Sequence, residues 1–285
     1  MFKSIGHIGK LIRVKQWPKN LLVAAAPLAS GLLPTVNEVS KIFYGVLSFC
    51  VTSSIAYIVN DWKDQKLDRK HKSKKFRPIA AGTVSKKQIN LILIALFLGL
   101  ILSLIQLNYK FLIVISVYLV LNLLYSFKLK DIEIIEILIV ASGFFLRTLS
   151  GAYILEIPIS EWFLLVTSFG SLYIVSVKRL SEKKFANKLS TRKVISRYSS
   201  DFLLVIVGMS LTITLTAYGM WSFGRVSSDT YTGLSMFTLL FALTRYLLCA
   251  EKGNDESPED LIFKDKYIFT SVFLTVFFIS VSLYI

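Results

Sequence analysis

The chain alternates long apolar runs with shorter polar connections over nearly its whole length. Each apolar run is close to the length that crosses a hydrocarbon core of about 30 Å. Because only helices satisfy their own backbone hydrogen bonds in lipid without closing into a barrel, the runs predict an all-α integral membrane protein. We expect one domain over 1–285 with nine transmembrane helices, at 20–35, 42–59, 89–107, 111–127, 132–154, 161–177, 202–222, 232–250 and 267–285.

The composition supports a membrane protein. Hydrophobic residues make up 54% of the 285 residues, and the mean hydropathy is +0.61. A soluble domain cannot hide that much apolar surface from water. Cys50 and Cys249 both lie in apolar runs and predict no disulfide framework. His7 and His71 lack the spacing of zinc ligands.

The positive charges fall mainly on one side of the predicted topology. The net charge is +15, and 28 of the 33 Lys and Arg residues lie in connections on the same side. The other side carries Lys41, Lys110 and Arg225. This asymmetry predicts an N-terminus inside and a C-terminus outside. No nucleic-acid-binding motif is present, so the charge favours membrane lipids and an anionic substrate as partners.

An acidic motif follows the second apolar run. Its aspartates, Asp61, Asp64 and Asp68, are spaced i, i+3, i+7, and on a continuing helix they lie on one face. Three neighbouring carboxylates repel one another unless cations neutralise them, and carboxylate oxygens near phosphate groups suit Mg²⁺. The sequence therefore predicts a diphosphate bound through Mg²⁺. The alternative is a solvated helix face on which Lys63 and other basic residues pair with the acids.

Basic residues come directly after the acidic motif, in the stretch 69–77. Lys74 and Arg77 are candidates for contacts to phosphate oxygens, since guanidinium and ammonium groups bind phosphate strongly. Pro78 and Gly82 predict a fixed turn before the third run begins.

The segment NDWKDQKLD at 60–68, followed by RPIAAG at 77–82, resembles the first aspartate-rich motif of the UbiA superfamily of intramembrane prenyltransferases. The predicted topology of nine transmembrane helices is also similar to that of the superfamily. The resemblance implies a UbiA-type helix bundle. It further implies that Asn60, Asp61, Asp64 and Asp68 form a catalytic Mg²⁺–diphosphate site, with the three aspartates as metal ligands.

Three further segments narrow the resemblance: QWPKN at 16–20, YSFKLK at 125–130 and KRLSE at 178–182. Many UbiA-type enzymes carry a second acidic motif after the sixth span, where this chain has cations and a single glutamate. The combination resembles the decaprenyl-phosphate phosphoribosyltransferase branch of the superfamily. The candidate substrate-binding residues are Lys15, Lys19, Asn20, Lys74, Arg77, Tyr125, Lys128, Lys130, Lys178, Arg179 and Glu182.

That branch implies transfer of 5-phosphoribose from phosphoribosyl diphosphate (PRPP) to a polyprenyl phosphate, with release of diphosphate. The reaction is expected at the cytoplasmic face of a bacterial inner membrane, in the synthesis of decaprenylphosphoryl-arabinose and cell-wall arabinan. One alternative is a UbiA-type enzyme that moves a prenyl group from prenyl diphosphate to an aromatic acceptor. Another is an anion or lipid transporter. The segment around Trp17 also fits an interfacial anchor, and a homo-oligomer is left open.

One charged residue lies deep in a predicted span. Arg147 is about fifteen residues into the run 132–154, where a lipid-facing charge costs several kcal/mol. We therefore expect its side chain to face the protein interior, with a structural role and a substrate-binding role both open. Arg245 lies nearer the inner end of its run and is expected to extend toward the interface.

Overall fold

A computed structural model describes residues 2–71, 74–185, 193–224, 229–253 and 258–284. All regular structure within these ranges is helical. Arg225 and parts of three predicted internal connections, at 72–73, 186–192 and 254–257, lie outside them. The α-helices are α1 (Phe2–Leu11), α2 (Ala25–Ala29), α3 (Val36–Asp68), α4 (Lys86–Leu104), α5 (Tyr109–Phe127), α6 (Ile135–Leu155), α7 (Glu161–Lys184), α8 (Lys193–Arg197), α9 (Ser200–Phe223), α10 (Asp229–Glu251), α11 (Pro258–Lys264) and α12 (Lys266–Tyr284). Three 3₁₀ segments accompany them: Val14–Ala24, Lys74–Phe76 and Leu129–Asp131.

Eight of these helices are long and apolar enough to cross a membrane, counting only the described residues. They are α3, α4, α5, α6, α7, α9, α10 and α12, and each coincides with one of the predicted apolar runs. The chain is therefore an integral membrane protein with an all-helical fold.

The first predicted run, 20–35, does not form one continuous α-helix. The 3₁₀ segment Val14–Ala24 passes directly into α2, which ends at Ala29. Proline supplies the physical reason, because Pro27 has no backbone N–H to donate to the Val23 carbonyl four residues earlier. The chain then turns at Gly31, whose φ of 75° is in the left-handed region that glycine adopts freely.

Residue contacts divide the chain into two compact units. The first consists of Met1–Pro27, Pro34–Ile139 and Leu146–Ile157, and the second of Leu28–Leu33, Val140–Phe145 and Pro158–Ile285. Within the first unit, α3 packs against α4, α5 and the 3₁₀ segment Val14–Ala24. Within the second, α7 packs on α9 and α10 on α12, while α10 also contacts α7 and α9.

The longest helix, α3, begins at a capping box. The Thr35 side chain accepts a hydrogen bond from the Glu38 backbone N–H, and the Glu38 carboxylate accepts from the Thr35 backbone N–H. The helix then continues for 33 residues, beyond the predicted run and through the whole acidic motif. At 1.5 Å per residue it is about 50 Å long, well beyond the ~30 Å of a hydrocarbon core. The predicted continuation of this helix is confirmed.

A glycine allows close packing of α6 in the first unit. A Cβ atom added to Gly151 would lie 1.8 Å from the backbone oxygen of Val23 and 2.9 Å from Pro27 Cδ. Small residues permit such close backbone approach between membrane helices. Gly151 therefore lets α6 pack directly against the segment that carries the N-terminal candidate residues.

Candidate active site

The acidic motif forms a polar row along one face of α3 in the first unit. Tyr57, Asp61, Asp64 and Asp68 follow spacings of four, three and four residues, which places them on the same side of the helix. Asp61 and Asp68 are buried, with 3% and 4% of their surface exposed, and Asp64 is half-buried. Buried carboxylates need ionic or hydrogen-bonding partners, and these come from three other segments of the chain.

Two arginines hold Asp61 and Asp68. Arg13 Nη2 lies 2.5 Å from Asp61 Oδ1, and Arg77 Nη1 lies 3.0 Å from the same oxygen. The same Arg77 nitrogen lies 2.8 Å from Asp68 Oδ2. One guanidinium nitrogen therefore bridges two carboxylates that are seven residues apart on the helix.

Lys130 holds the third aspartate. Its Nζ donates to both carboxylate oxygens of Asp64, at 2.5 and 2.7 Å. Lys130 lies in the short 3₁₀ turn after α5, and this turn is tied to α3 by a second lysine. Lys63 donates to the carbonyl oxygen of Phe127, the last residue of α5, and its ammonium lies 4.5 Å from the centre of the Phe127 ring.

The segment that follows the acidic motif folds back on α3 and so positions Arg77. Gln65 Nε2 donates to the Ile79 carbonyl at 3.0 Å, and Arg69 Nε donates to the Ala80 carbonyl at 3.1 Å. Ile79 and Ala80 are themselves buried. The predicted turn at 77–82 therefore has a defined role, because it fixes the backbone from which Arg77 reaches the carboxylates.

The N-terminal segment reaches the row through a residue with unusual backbone geometry. Arg13 has φ 54° and ψ 51°, the left-handed region that costs a non-glycine residue about 1 kcal/mol or more. Its guanidinium lies 4.5 Å from the centre of the Tyr57 ring, and Lys19 donates to the Tyr57 hydroxyl at 2.5 Å. Trp17 Nε1 also donates to Ser54 Oγ, one turn earlier on α3. These contacts hold the strained backbone in place.

Arg13 and Tyr57 were not among the residues predicted from the sequence. A sequence signal existed for Tyr57, because it stands one helical turn before Asp61 on the same face. Arg13 adjoins the QWPKN segment, but its contact with Asp61 joins positions 48 residues apart. No local sequence pattern predicts a contact between residues so far apart in the chain.

Asn20, a predicted substrate-binding residue, lies in the interior beside Arg147, and its contact with a substrate stays a prediction. It is fully buried, and its amide nitrogen donates to Cys50 Sγ at 3.2 Å. Its carbonyl oxygen accepts from Arg147 Nε at 2.7 Å, while Arg147 Nη2 donates to the Tyr118 hydroxyl at 2.6 Å. Asn20 therefore serves the interior arginine rather than the aspartate row. The expectation that Arg147 faces the protein interior is confirmed, since 3% of its surface is exposed.

The other candidates of the first unit differ in exposure. Lys15 and Lys128 are exposed, whereas Asn60, Lys74 and Tyr125 are half-buried. Their contacts with a substrate stay predictions.

The second unit carries the remaining candidates, all on α7. Arg179 is buried and donates from Nη1 to Glu182 Oε2 at 2.8 Å, and Lys178 is half-buried. Two neighbouring hydroxyls, Ser176 Oγ and Ser181 Oγ, are buried and have no hydrogen-bond partner among the described residues. Buried polar atoms of this kind normally find a partner, so this part of α7 has unused capacity to bind polar groups.

The aspartate row of the first unit provides carboxylate oxygens, the ligands that Mg²⁺ prefers, although arginine and lysine side chains contact them in this structure. Within the described ranges, no three His, Cys, Asp or Glu side chains are grouped as a metal site. Each aspartate instead contacts an arginine or a lysine. The Arg77 nitrogen shows that Asp61 and Asp68 accept a cationic group between them, at 3.0 and 2.8 Å. Carboxylate oxygens are also the type of ligand that Mg²⁺ takes.

Comparisons with known proteins agree with this arrangement. The profile of the UbiA prenyltransferase family matches residues 21–279. The chain is 35% identical over 274 residues to decaprenyl-phosphate phosphoribosyltransferase of Mycobacterium tuberculosis, covering 93% of this chain and 90% of the relative. It is also 35% identical over 287 residues to the protein of that name from Corynebacterium glutamicum, covering 97% and 86%.

A solved structure supports the fold. The structure of a UbiA homolog from Archaeoglobus fulgidus bound to DMAPP and Mg²⁺ superposes with a TM-score of 0.73. The two chains are 16% identical, and the match covers 97% of this chain and 98% of the homolog. At that identity the likeness establishes the fold alone.

Proposed function

The chain belongs to the UbiA prenyltransferase family, and from that premise we propose that it transfers 5-phosphoribose from PRPP to a polyprenyl phosphate, with release of diphosphate. The observation that carries the proposal is the aspartate row of α3, in which each of the three carboxylates already binds a cationic side chain. A Mg²⁺–diphosphate provides a cation for the carboxylates and an anion for the arginines and the lysine. The two relatives above, which are 35% identical over most of their length, bear the name of this activity.

Asp61, Asp64 and Asp68 are proposed to hold Mg²⁺. When bound, Mg²⁺ neutralises the negative charge that develops on the diphosphate as its bond to ribose breaks. Arg13, Arg77 and Lys130 surround the same carboxylates, and they are proposed to bind the phosphate oxygens of the leaving group. Preorganised cations at the site of developing charge usually contribute the largest share of catalysis in such transfers.

The basic residues of α7 are proposed to bind a second phosphate. Arg179 and Lys178 suit either the 5-phosphate of the ribose or the phosphate of the lipid acceptor. The buried Ser176 and Ser181 hydroxyls lie on the same helix as these basic residues. Glu182 is proposed to bind ribose hydroxyls or a second metal ion.

The reaction exchanges one C1–O bond for another. The bond from ribose C1 to the diphosphate oxygen breaks, and a phosphate oxygen of the lipid forms a new bond to C1 on the opposite face. An α-linked donor therefore gives a β-linked product. No general base is needed because the acceptor oxygen is already anionic, and placing the two anionic substrates together gains a large entropic advantage.

The proposed setting is the inner membrane of a bacterium, with the aspartate row at the cytoplasmic side. The 28-to-3 distribution of basic residues supports this orientation. The first predicted run, 20–35, is proposed as the ninth membrane crossing. In this setting residues 1–285 form one membrane domain.

A transfer assay tests the proposal. The full chain is reconstituted in nanodiscs with radiolabelled PRPP and decaprenyl phosphate, with and without Mg²⁺, and the lipid fraction is counted. We expect Mg²⁺-dependent transfer of label that Asp61→Asn abolishes. If label stays in the aqueous phase under all conditions, the proposal is wrong.

The second candidate is a prenyltransferase that uses a prenyl diphosphate and an aromatic acceptor. It is favoured by the shared fold with the A. fulgidus homolog, which was solved with DMAPP and Mg²⁺. The same nanodiscs, supplied with a labelled prenyl diphosphate and aromatic acids, separate the two candidates. A transporter would instead move anions across the membrane of liposomes that contain the protein. Asp61→Asn would leave that flux intact.

A further inference from the structure

The aspartate row and the basic groups on it form an electrically neutral cluster. Three carboxylates face three cations, Arg13, Arg77 and Lys130, which come from three separate segments of the first unit. Asp61 and Asp68 are nearly fully buried, so these ion pairs are not surface contacts that solvent screens freely.

Mg²⁺ would bind the same three carboxylates that the cations already contact. Arg77 Nη1 stands between Asp61 Oδ1 and Asp68 Oδ2, and Lys130 Nζ takes both oxygens of Asp64. A metal ion that arrives alone would compete with these groups for the carboxylates and would place a new positive charge beside them. A diphosphate carries more negative charge than one divalent ion neutralises, so it gives the displaced cations a new partner.

We propose that Arg13, Arg77 and Lys130 exchange partners when the substrate binds, passing from the aspartates to the phosphate oxygens of the diphosphate. The inference deepens the proposed function and rests on it. Its consequence is that metal loading depends on the diphosphate, because the three cations compete with Mg²⁺ until phosphate oxygens receive them. The three residues are thus positioned by the carboxylates before the substrate arrives.

The surrounding contacts allow the side chains to move while their backbone stays fixed. The backbone around Arg77 is held by the bonds from Gln65 and Arg69 to the carbonyls of Ile79 and Ala80. The turn that carries Lys130 is held by the bond from Lys63 to the end of α5. Arg and Lys have several rotatable bonds beyond such anchors.

The strained backbone of Arg13 fits the same role. Its left-handed conformation is found at a residue whose guanidinium contacts both Asp61 and the Tyr57 ring. Backbone strain persists where the surrounding contacts determine it, and such residues cluster at ligand-binding sites. The Tyr57 ring provides a surface along which the guanidinium can shift without losing contact with the protein.

Two binding titrations on the full chain test the exchange. The first measures Mn²⁺ binding without phosphate, from the loss of the free Mn²⁺ electron paramagnetic resonance signal. The second measures binding of radiolabelled inorganic diphosphate at saturating Mg²⁺. Both use wild type, Lys130→Met and the control Lys66→Met, which removes the same charge from an exposed position on α3. Within the described residues, no ion pair of Lys66 with the aspartates is found.

We expect the Lys130→Met variant to change the two affinities in opposite directions. Its Mn²⁺ affinity rises about tenfold, because a competing cation is gone, and its diphosphate affinity falls about tenfold, because a phosphate contact is lost. Lys66→Met stays within about twofold of wild type in both titrations. Thermal melting of each variant verifies folding. Arg13→Gln, which removes one of the two cations on Asp61, repeats the test should Lys130→Met not fold.

The results separate failure of the exchange from failure of the proposed function. If wild type binds diphosphate with Mg²⁺ but Lys130→Met weakens both affinities or leaves Mn²⁺ binding unchanged, the exchange is refuted and the enzyme assignment stands. If wild type shows no Mg²⁺-dependent binding of diphosphate, both are refuted.

Discussion

Replacing Gly151 with alanine is expected to separate α6 from the Val14–Ala24 segment in the first unit. The new Cβ would lie 1.8 Å from the Val23 backbone oxygen, whereas ordinary van der Waals contact begins at 3.4 Å. One of the two helical segments must therefore move by about 1.5 Å. A flexible side chain could turn away from such a clash, but the backbone carbonyl of a helical segment cannot.

The energetic cost follows from the same contact. Overpacking by one methyl group typically costs 1–3 kcal/mol, and a clash with backbone belongs near the upper end of that range. Alanine returns about 1 kcal/mol through its higher helix propensity. The net loss of about 2 kcal/mol corresponds to a fall in melting temperature of roughly 5 °C for a chain of this size.

The displacement should also reach the candidate site. Arg147 lies one helical turn before Gly151, and its partner Asn20 lies three residues before Val23. Moving the segment lengthens the Arg147–Asn20 hydrogen bond and shifts the chain that presents Arg13 to Asp61. We therefore expect weaker diphosphate binding together with lower stability.

Thermal melting in detergent, followed by intrinsic tryptophan fluorescence, measures the stability. Gly99→Ala on α4 is the matched control, because an added Cβ there has no atom within 4 Å. The control should melt at or slightly above the wild-type temperature. Equal melting temperatures for Gly151→Ala and Gly99→Ala would refute the packing argument.

Three further predictions concern single side chains. Asp61→Asn should lower PRPP transfer by at least about a hundredfold, since it removes a proposed metal ligand, and it should also lower the melting temperature because Arg13 and Arg77 lose a carboxylate partner; a tenfold loss of transfer or less would contradict this role. Arg147→Ala should destabilise the protein by about 2–4 kcal/mol, because it opens a cavity and leaves buried polar groups without their partner; denaturation midpoints would check this. Burial raises the pKa of Asp265, but hydrogen bonds from Arg245 and the backbone of Ile268 outweigh that effect and lower the pKa to about 2. A carboxylate whose pKa is lowered by folding stabilises the fold above pH ~4, and this stabilisation is lost as the pH falls toward 2. Asp265→Asn should therefore lower the melting temperature at pH 7. The difference in melting temperature between the variant and wild type should shrink below pH 4.

The position of the aspartate row could be predicted from the sequence, but the set of basic side chains that pair with the aspartates could not. Helical periodicity placed Asp61, Asp64 and Asp68 on one face because neighbours on a helix are fixed by residue spacing alone. The identity of the cations depends on which distant segments fold against that face. Of the many lysines and arginines nearby, Arg77 and Lys130 were among the candidates, whereas Arg13 was missed.

The sequence alone determined eight long apolar helices, the membrane class and the acidic row, because hydrophobic runs and helical spacing are local properties of the chain. It also predicted a buried role for Arg147, since a charge deep in an apolar run must avoid lipid. Only the tertiary structure decided that Asn20 serves Arg147 and that the first run breaks into 3₁₀ and α segments. It also decided that three cations hold the aspartates. Those outcomes depend on contacts between residues as far as 127 positions apart, whose geometry packing sets and sequence spacing does not encode.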